Sequence, residues 1–138
     1  MKILDNRLFN AIEEEAKISP RRRMSHDLRT QAMDEEPDWR DSSQRMLNVM
    51  MTDTVIPIHR HTASSETLIV LRGSGDEVTY DETGKETARV TLRAGSECVA
   101  VQVPRNVYHT FIPHEDGTTI FEAKDRPYDP ESTISLSK

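Results

Sequence analysis

The hydrophobic pattern of the chain changes character near residue 43. Before it, Leu4, Leu8, Phe9 and Ile12 recur at the three-to-four spacing of an amphipathic helix, with Glu13, Glu14 and Glu15 behind them. Asp5 stands where an N-cap is expected. Ser19 and Pro20 stop this helix and open a second one, with Ser19 as its cap and Pro20 in its first turn. Residues 33–43 carry the runs DEEPD and DSS and read as a loop in which Trp39 is a packing anchor. Residues 1–43 are therefore expected to form a helical section packed on the remainder of the chain.

From Gln44 the periodicity is that of strands. Short β-type runs cover residues 45–51, 55–58, 67–71, 77–80, 87–92, 98–103, 109–112 and 118–124. Turns separate them at YDETGKE, where Gly84 is free to take positive φ, at Arg93-Ala94-Gly95 and at Glu115-Asp116-Gly117. Eight short strands with no helix between them predict a mainly β fold, an antiparallel sandwich or barrel over residues 44–130. Residues 131–138 read as a loose tail.

Composition narrows the class. A chain of 138 residues holds one domain. No apolar run approaches the ~18 residues of a membrane span, and the N-terminus turns acidic where a secretory signal turns apolar. The lone cysteine, Cys98, excludes a disulfide framework, a zinc ribbon and an iron–sulfur site built from this chain, and suits a reducing cytoplasm. In the run CVAVQV it reads as a small buried hydrophobe. A net charge of -6 opposes nucleic-acid binding. The one basic run, Arg21-Arg22-Arg23, reads as the solvated face of the second helix rather than as an anion site. Met46, Met50 and Met51 read as core, and His26 and His114 as surface histidines.

The chemistry is concentrated in IPIHRHTASSETLIVLRG and VPRNVYHTF. His59 and His61 are two apart, so a strand points both rings to one face. Glu66 opens the next strand, and an antiparallel return sets its carboxylate beside the imidazoles. His109 follows Pro104 by five residues and also opens a strand, whereas Tyr108 next to it points away into packing. Three imidazoles and a carboxylate make a nitrogen–oxygen site for one divalent transition ion such as Zn, Fe, Mn, Ni or Co. Glu122 and Lys124 share a strand face, which spacing alone reads as a solvated ion pair. Arg45 on a mostly apolar strand either snorkels outward or lines a polar cavity. Tyr128 is placed to reach over the mouth of such a site.

HRHTASSETLIVLRG resembles the first motif of the cupins, and VPRNVYHTF much of the second. Over roughly residues 5–130, including the ending FEAKDRPYDP, the chain resembles the WbuC-type cupin fold metalloproteins. The resemblance implies a cupin-type antiparallel jelly-roll barrel holding a divalent metal in its mouth, with His59, His61, Glu66 and His109 as ligands. It makes Lys124 a group for an anionic substrate, oriented by Glu122, with Lys124 or Glu122 moving the proton in an isomerase, and Arg45 and Tyr128 further contacts. It also implies a homodimer paired through sheet edges and a ligand that is a sugar-linked or anionic small molecule. The reaction class would be isomerase or oxidase, including dioxygenase-like chemistry; the alternative is a binding module that holds such a ligand without turnover. The chain departs from the general cupin pattern at Asp53 and Asn106, where Gly is usual, and at Pro113, where Asn is frequent. None of these removes a ligand.

Overall fold

The computed structural model describes residues 1–29, 41–126 and 128–136; Trp39 and most of the expected 33–43 loop lie outside these. Helix α1 (Asn6–Ile18) starts where its cap predicts, the Asp5 carboxylate accepting from the Leu8 amide at 3.2 Å. It buries Phe9, Ile12 and Ala16. The second helix does not form. The chain turns at Ser19, whose carbonyl accepts from the Arg22 amide at 3.0 Å, and Arg22 takes a φ of 57°. Strand β1 (Arg23–Asp27) comes next. Pairing explains the outcome: β1 lies antiparallel on the next strand from Arg23↔Met50 to Asp27↔Met46 and satisfies backbone groups that would otherwise form an open edge.

The other strands are β2 (Gln44–Met50), β3 (His59–His61), β4 (Glu66–Arg72), β5 (Ser74–Tyr80), β6 (Glu86–Arg93), β7 (Ala100–Val103), β8 (Tyr108–Pro113), β9 (Thr118–Lys124) and β10 (Thr133–Ser135). They form two antiparallel sheets in the orders β1-β2-β9-β4-β7 and β10-β3-β8-β5-β6. Met50, Leu68, Val70, Leu92, Phe111 and Ile120 fill one core. A second cluster lies outside the sandwich, where Leu47 and Val49 of β2 meet Phe9 and Ile12 of α1. Strand β2 is thus covered on both faces, which explains its near-continuous burial.

Three further expectations are corrected. Residues 55–58 are not a regular strand; β3 starts at His59. The described part of the tail is not loose, because β10 pairs with β3 from Thr133↔His61 to Ser135↔His59. Cys98 is exposed, its segment ending β-type pairing short of it. Tyr108 is buried as expected, with the Arg60 guanidinium 4.5 Å from its ring centre. Among the described residues no helix is long and apolar enough to cross a membrane.

Candidate metal centre

Strand alternation aims His59 and His61 the same way, and the β3–β8 register sets His109 opposite His59. The ring centres lie 4.9 Å apart for His59–His61, 4.5 Å for His59–His109 and 5.6 Å for His61–His109. One nitrogen from each ring lies within 4.8 Å of the other two. Glu66, first in β4, brings its Oε2 to 3.1 Å from His61 Nε2 and 3.5 Å from Lys124 Nζ.

Each imidazole is tied from behind. His59 Nδ1 donates to the Pro57 carbonyl at 2.8 Å. His61 Nδ1 donates to the Thr133 hydroxyl at 3.3 Å, whose own proton goes to the Asp129 carbonyl at 3.2 Å. His109 Nδ1 meets Glu77 Oε1 at 2.6 Å, both groups being buried. These contacts leave the Nε2 atoms facing inward. His109 Nε2 is buried and finds no partner among the described residues. His61 Nε2 faces the Glu66 carboxylate across 3.1 Å. An orphaned ring nitrogen is costly in a buried site, and a cation among the three rings and Glu66 satisfies it. The residues therefore fit a divalent ion of borderline softness, held by three imidazoles with Glu66 alongside.

Glu77 was not expected at this site. Within Asp76-Glu77 the sequence offers no way to tell which carboxylate faces inward until the β5–β8 register, Thr79↔His109 and Glu77↔Phe111, is known. It stands where it would orient His109 as a metal ligand. Glu77→Gln is expected to weaken metal affinity by about 10–100-fold, read by competition with a chelating dye.

Without metal the site is electrostatically frustrated. Burial, then repulsion from Glu66, pushes Glu77 up to about 9. The same two causes push Glu122 up to about 8. Burial among the other rings pushes His59 down to about 4. Above pH 6.5 Glu77 and Glu122 set the slope. They hold protons in the folded state that the unfolded chain has lost, so stability falls as pH rises from 6.5 towards 9. The melting temperature of chelator-treated protein is expected to be lower at pH 8 than at pH 6.5.

A cavity of about 440 Å³ opens between the sheets beside the histidines. Glu122, Lys124 and Tyr128 line it, together with His59, His61 and Glu66. Lys124 is 9% exposed at its side chain, and Tyr128 is 59% exposed at the rim. The expectation for Arg45 as a substrate contact is corrected: it projects from the opposite face of β2 and pairs with Asp41 at 2.5 Å. Arg21 and Arg23, read from sequence as a solvated helix face, line the cavity instead, because the segment is an edge strand. His26 bonds Lys2 and His114 pairs with Asp76 at 3.0 Å, both away from the site.

The sequence profile of a domain of unknown function, DUF6016, matches residues 4–92. The chain belongs to the DUF6016 family. The match runs from α1 into β6 and takes in His59, His61, Glu66 and Glu77, with His109 beyond it. No curated protein sequence matches this DUF6016 chain. Solved structures do. CapF in complex with the inhibitor 3-isopropenyl-tropolone superposes with a TM-score of 0.67 at 17% identity, over 87% of this chain and 33% of that one. CapF from Staphylococcus aureus, a capsular polysaccharide assembling protein, gives 0.65 at 17% identity over 88% and 33%. Oxalate decarboxylase from Bacillus subtilis gives 0.59 at 16% identity over 83% and 27%. The chain spans about a third of the length of these structures or less. At such identities the likeness is one of fold, and it shows the DUF6016 chain to be a cupin-type jelly roll.

Proposed function

We propose that this DUF6016 protein is a metal-dependent enzyme acting on a small anionic, sugar-linked molecule. The observation that carries the reading is Lys124: an ammonium group nearly shut off from solvent, aimed into the cavity beside the three histidines. A cation placed so is suited to the anionic group of a ligand. The ligand class draws support from the neighbours, since CapF is named for capsular polysaccharide assembly and oxalate decarboxylase for a small dicarboxylate. The WbuC-like ending FEAKDRPYDP points the same way.

A divalent ion bound at the histidines supplies Lewis acidity. The chain's own residues do the rest. His59, His61 and His109, with Glu66, hold the ion. Lys124 pairs with the substrate anion. Glu122, facing the same cavity and raised to about 8, keeps a proton at neutral pH and serves as a general acid. Tyr128 covers the mouth. The exposed edge strand β6 is where a second copy would pair to make a cytoplasmic homodimer.

Incubating metal-loaded protein with sugar acids and sugar phosphates and following them by NMR tests the reading. The wild type is expected to convert at least one of them. Lys124→Met is expected to keep its metal and to lose about 10–100-fold in affinity for the anion, the worth of one charge-assisted bond. Loss of metal in Lys124→Met would contradict the role given to that residue.

A further inference from the structure

Two polar groups in the cavity have no part in holding the metal. Leu47 and Val49 point to α1, so the alternate residues Gln44, Met46 and Asn48 face the cavity between the sheets. Gln44 is 5% exposed and Asn48 8%. The Gln44 amide is held in one sense, because its Nε2 donates to Met46 Sδ at 3.1 Å. Gln44 Oε1 is then the free end. Gln44 Oε1 and Asn48 Oδ1 have no hydrogen-bond donor among the described residues. Buried acceptors are seldom left so. Torsion about the last bond of an amide side chain is soft, so a small rotation presents either oxygen to the cavity.

What such oxygens lack is a donor, and a hydroxyl supplies one where an anion cannot. Ser25 stands opposite Asn48 in the β1–β2 register and lines the same space. At the other end, Gln44 stands opposite Lys124 in the β2–β9 register. The row from Gln44 to Asn48 spans four residues, roughly 13 Å of strand. It therefore suits an extended hydroxylated chain with one charged end better than a two-carbon acid.

We propose that β2 forms a hydroxyl-recognition subsite: Gln44 Oε1 and Asn48 Oδ1 accept from the hydroxyls of a sugar acid whose carboxylate lies at Lys124. The proposal rests on the reading of this cavity as the substrate pocket and narrows it from small anions to polyhydroxylated acids.

Calorimetry on the zinc-loaded full chain with D-gluconate and with hexanoate tests it, because the two probes share chain length and charge and differ in hydroxyls. Gluconate is expected to bind at least about tenfold more tightly. In the double variant Gln44→Met, Asn48→Leu the preference is expected to collapse to within about twofold, with metal content and melting temperature undiminished, because amide oxygens without a donor give way to apolar groups of similar shape. Equal affinity for the two probes, or no gluconate binding by fully metallated protein, overturns the subsite and leaves the metal centre standing. A drop in melting temperature beyond about 5 °C in the double variant also overturns it, by assigning the amides to the fold. A wild type that takes up no metal yet prefers gluconate overturns the metal reading and upholds the subsite.

Discussion

His109→Ala is expected to abolish metal binding. Its Nε2 is the one ring nitrogen of the cluster that is buried and left without a partner among the described residues. It is also the ligand that joins the two halves of the site, since β8 pairs with β3 on one side and β5 on the other. Without it two imidazoles and one carboxylate remain, and Glu77 is stranded in the interior. The loss should exceed the about 10–100-fold expected when only an outer partner such as Glu77 is changed. Elemental mass spectrometry after dialysis should read almost no metal in the variant, against about one ion per chain in the wild type. A folded His109→Ala protein with full occupancy would contradict the ligand set.

The largest expected effect on stability comes from Ile120→Ala. Ile120 is fully buried in β9, between β2 and β4, and packs with Met50, Leu68, Val70, Leu92 and Phe111. Removing its outer carbons leaves a void that strand neighbours hydrogen-bonded on both sides cannot close. Substitutions of this kind cost about 2–5 kcal/mol, which for a chain of this size lowers the melting temperature by roughly 10 °C. Ile112→Ala, on a residue 39% exposed, should stay within about 0.5 kcal/mol and serves as the control. Similar melting temperatures for the two variants would mean that the core has been misplaced.

The parts of the site that were legible in the sequence are those fixed by strand alternation and local spacing. His59 and His61 share a face in any strand, and Glu66 comes after them on the next strand. His109 is set by the turn from Pro104. At that turn Asn106 takes a φ of 71° in the place of the usual glycine, which asparagine tolerates better than most residues, so the departure costs the site nothing. Glu122 and Lys124 line the cavity, where spacing alone read a solvated ion pair and only the resemblance to the WbuC-type proteins pointed inward.

The parts that were not legible depend on pairing between distant segments. Arg23–Asp27 looked helical because Ser19-Pro20 is a good helix start, yet an available edge on β2 decided for a strand and carried Arg21 and Arg23 to the cavity. The C-terminal residues read as loose because nothing local in ESTISLSK marks a strand, yet β10 gains an edge on β3 and sets the Thr133 hydroxyl 3.3 Å from His61 Nδ1. Glu77 was hidden for the same reason: only the β5–β8 register shows that it, and not Asp76, stands behind His109. Arg45 was open between two faces, and the helix packed over Leu47 and Val49 decided against the cavity.

The most direct measurement is an anomalous-scattering map at the zinc edge from crystals of the zinc-loaded protein. The expected map has one peak per chain, about 2.0–2.1 Å from the Nε2 atoms of His59, His61 and His109, with a Glu66 oxygen at a similar distance. A peak elsewhere, or none in folded, zinc-equilibrated protein, would contradict a metal centre in the mouth of this barrel.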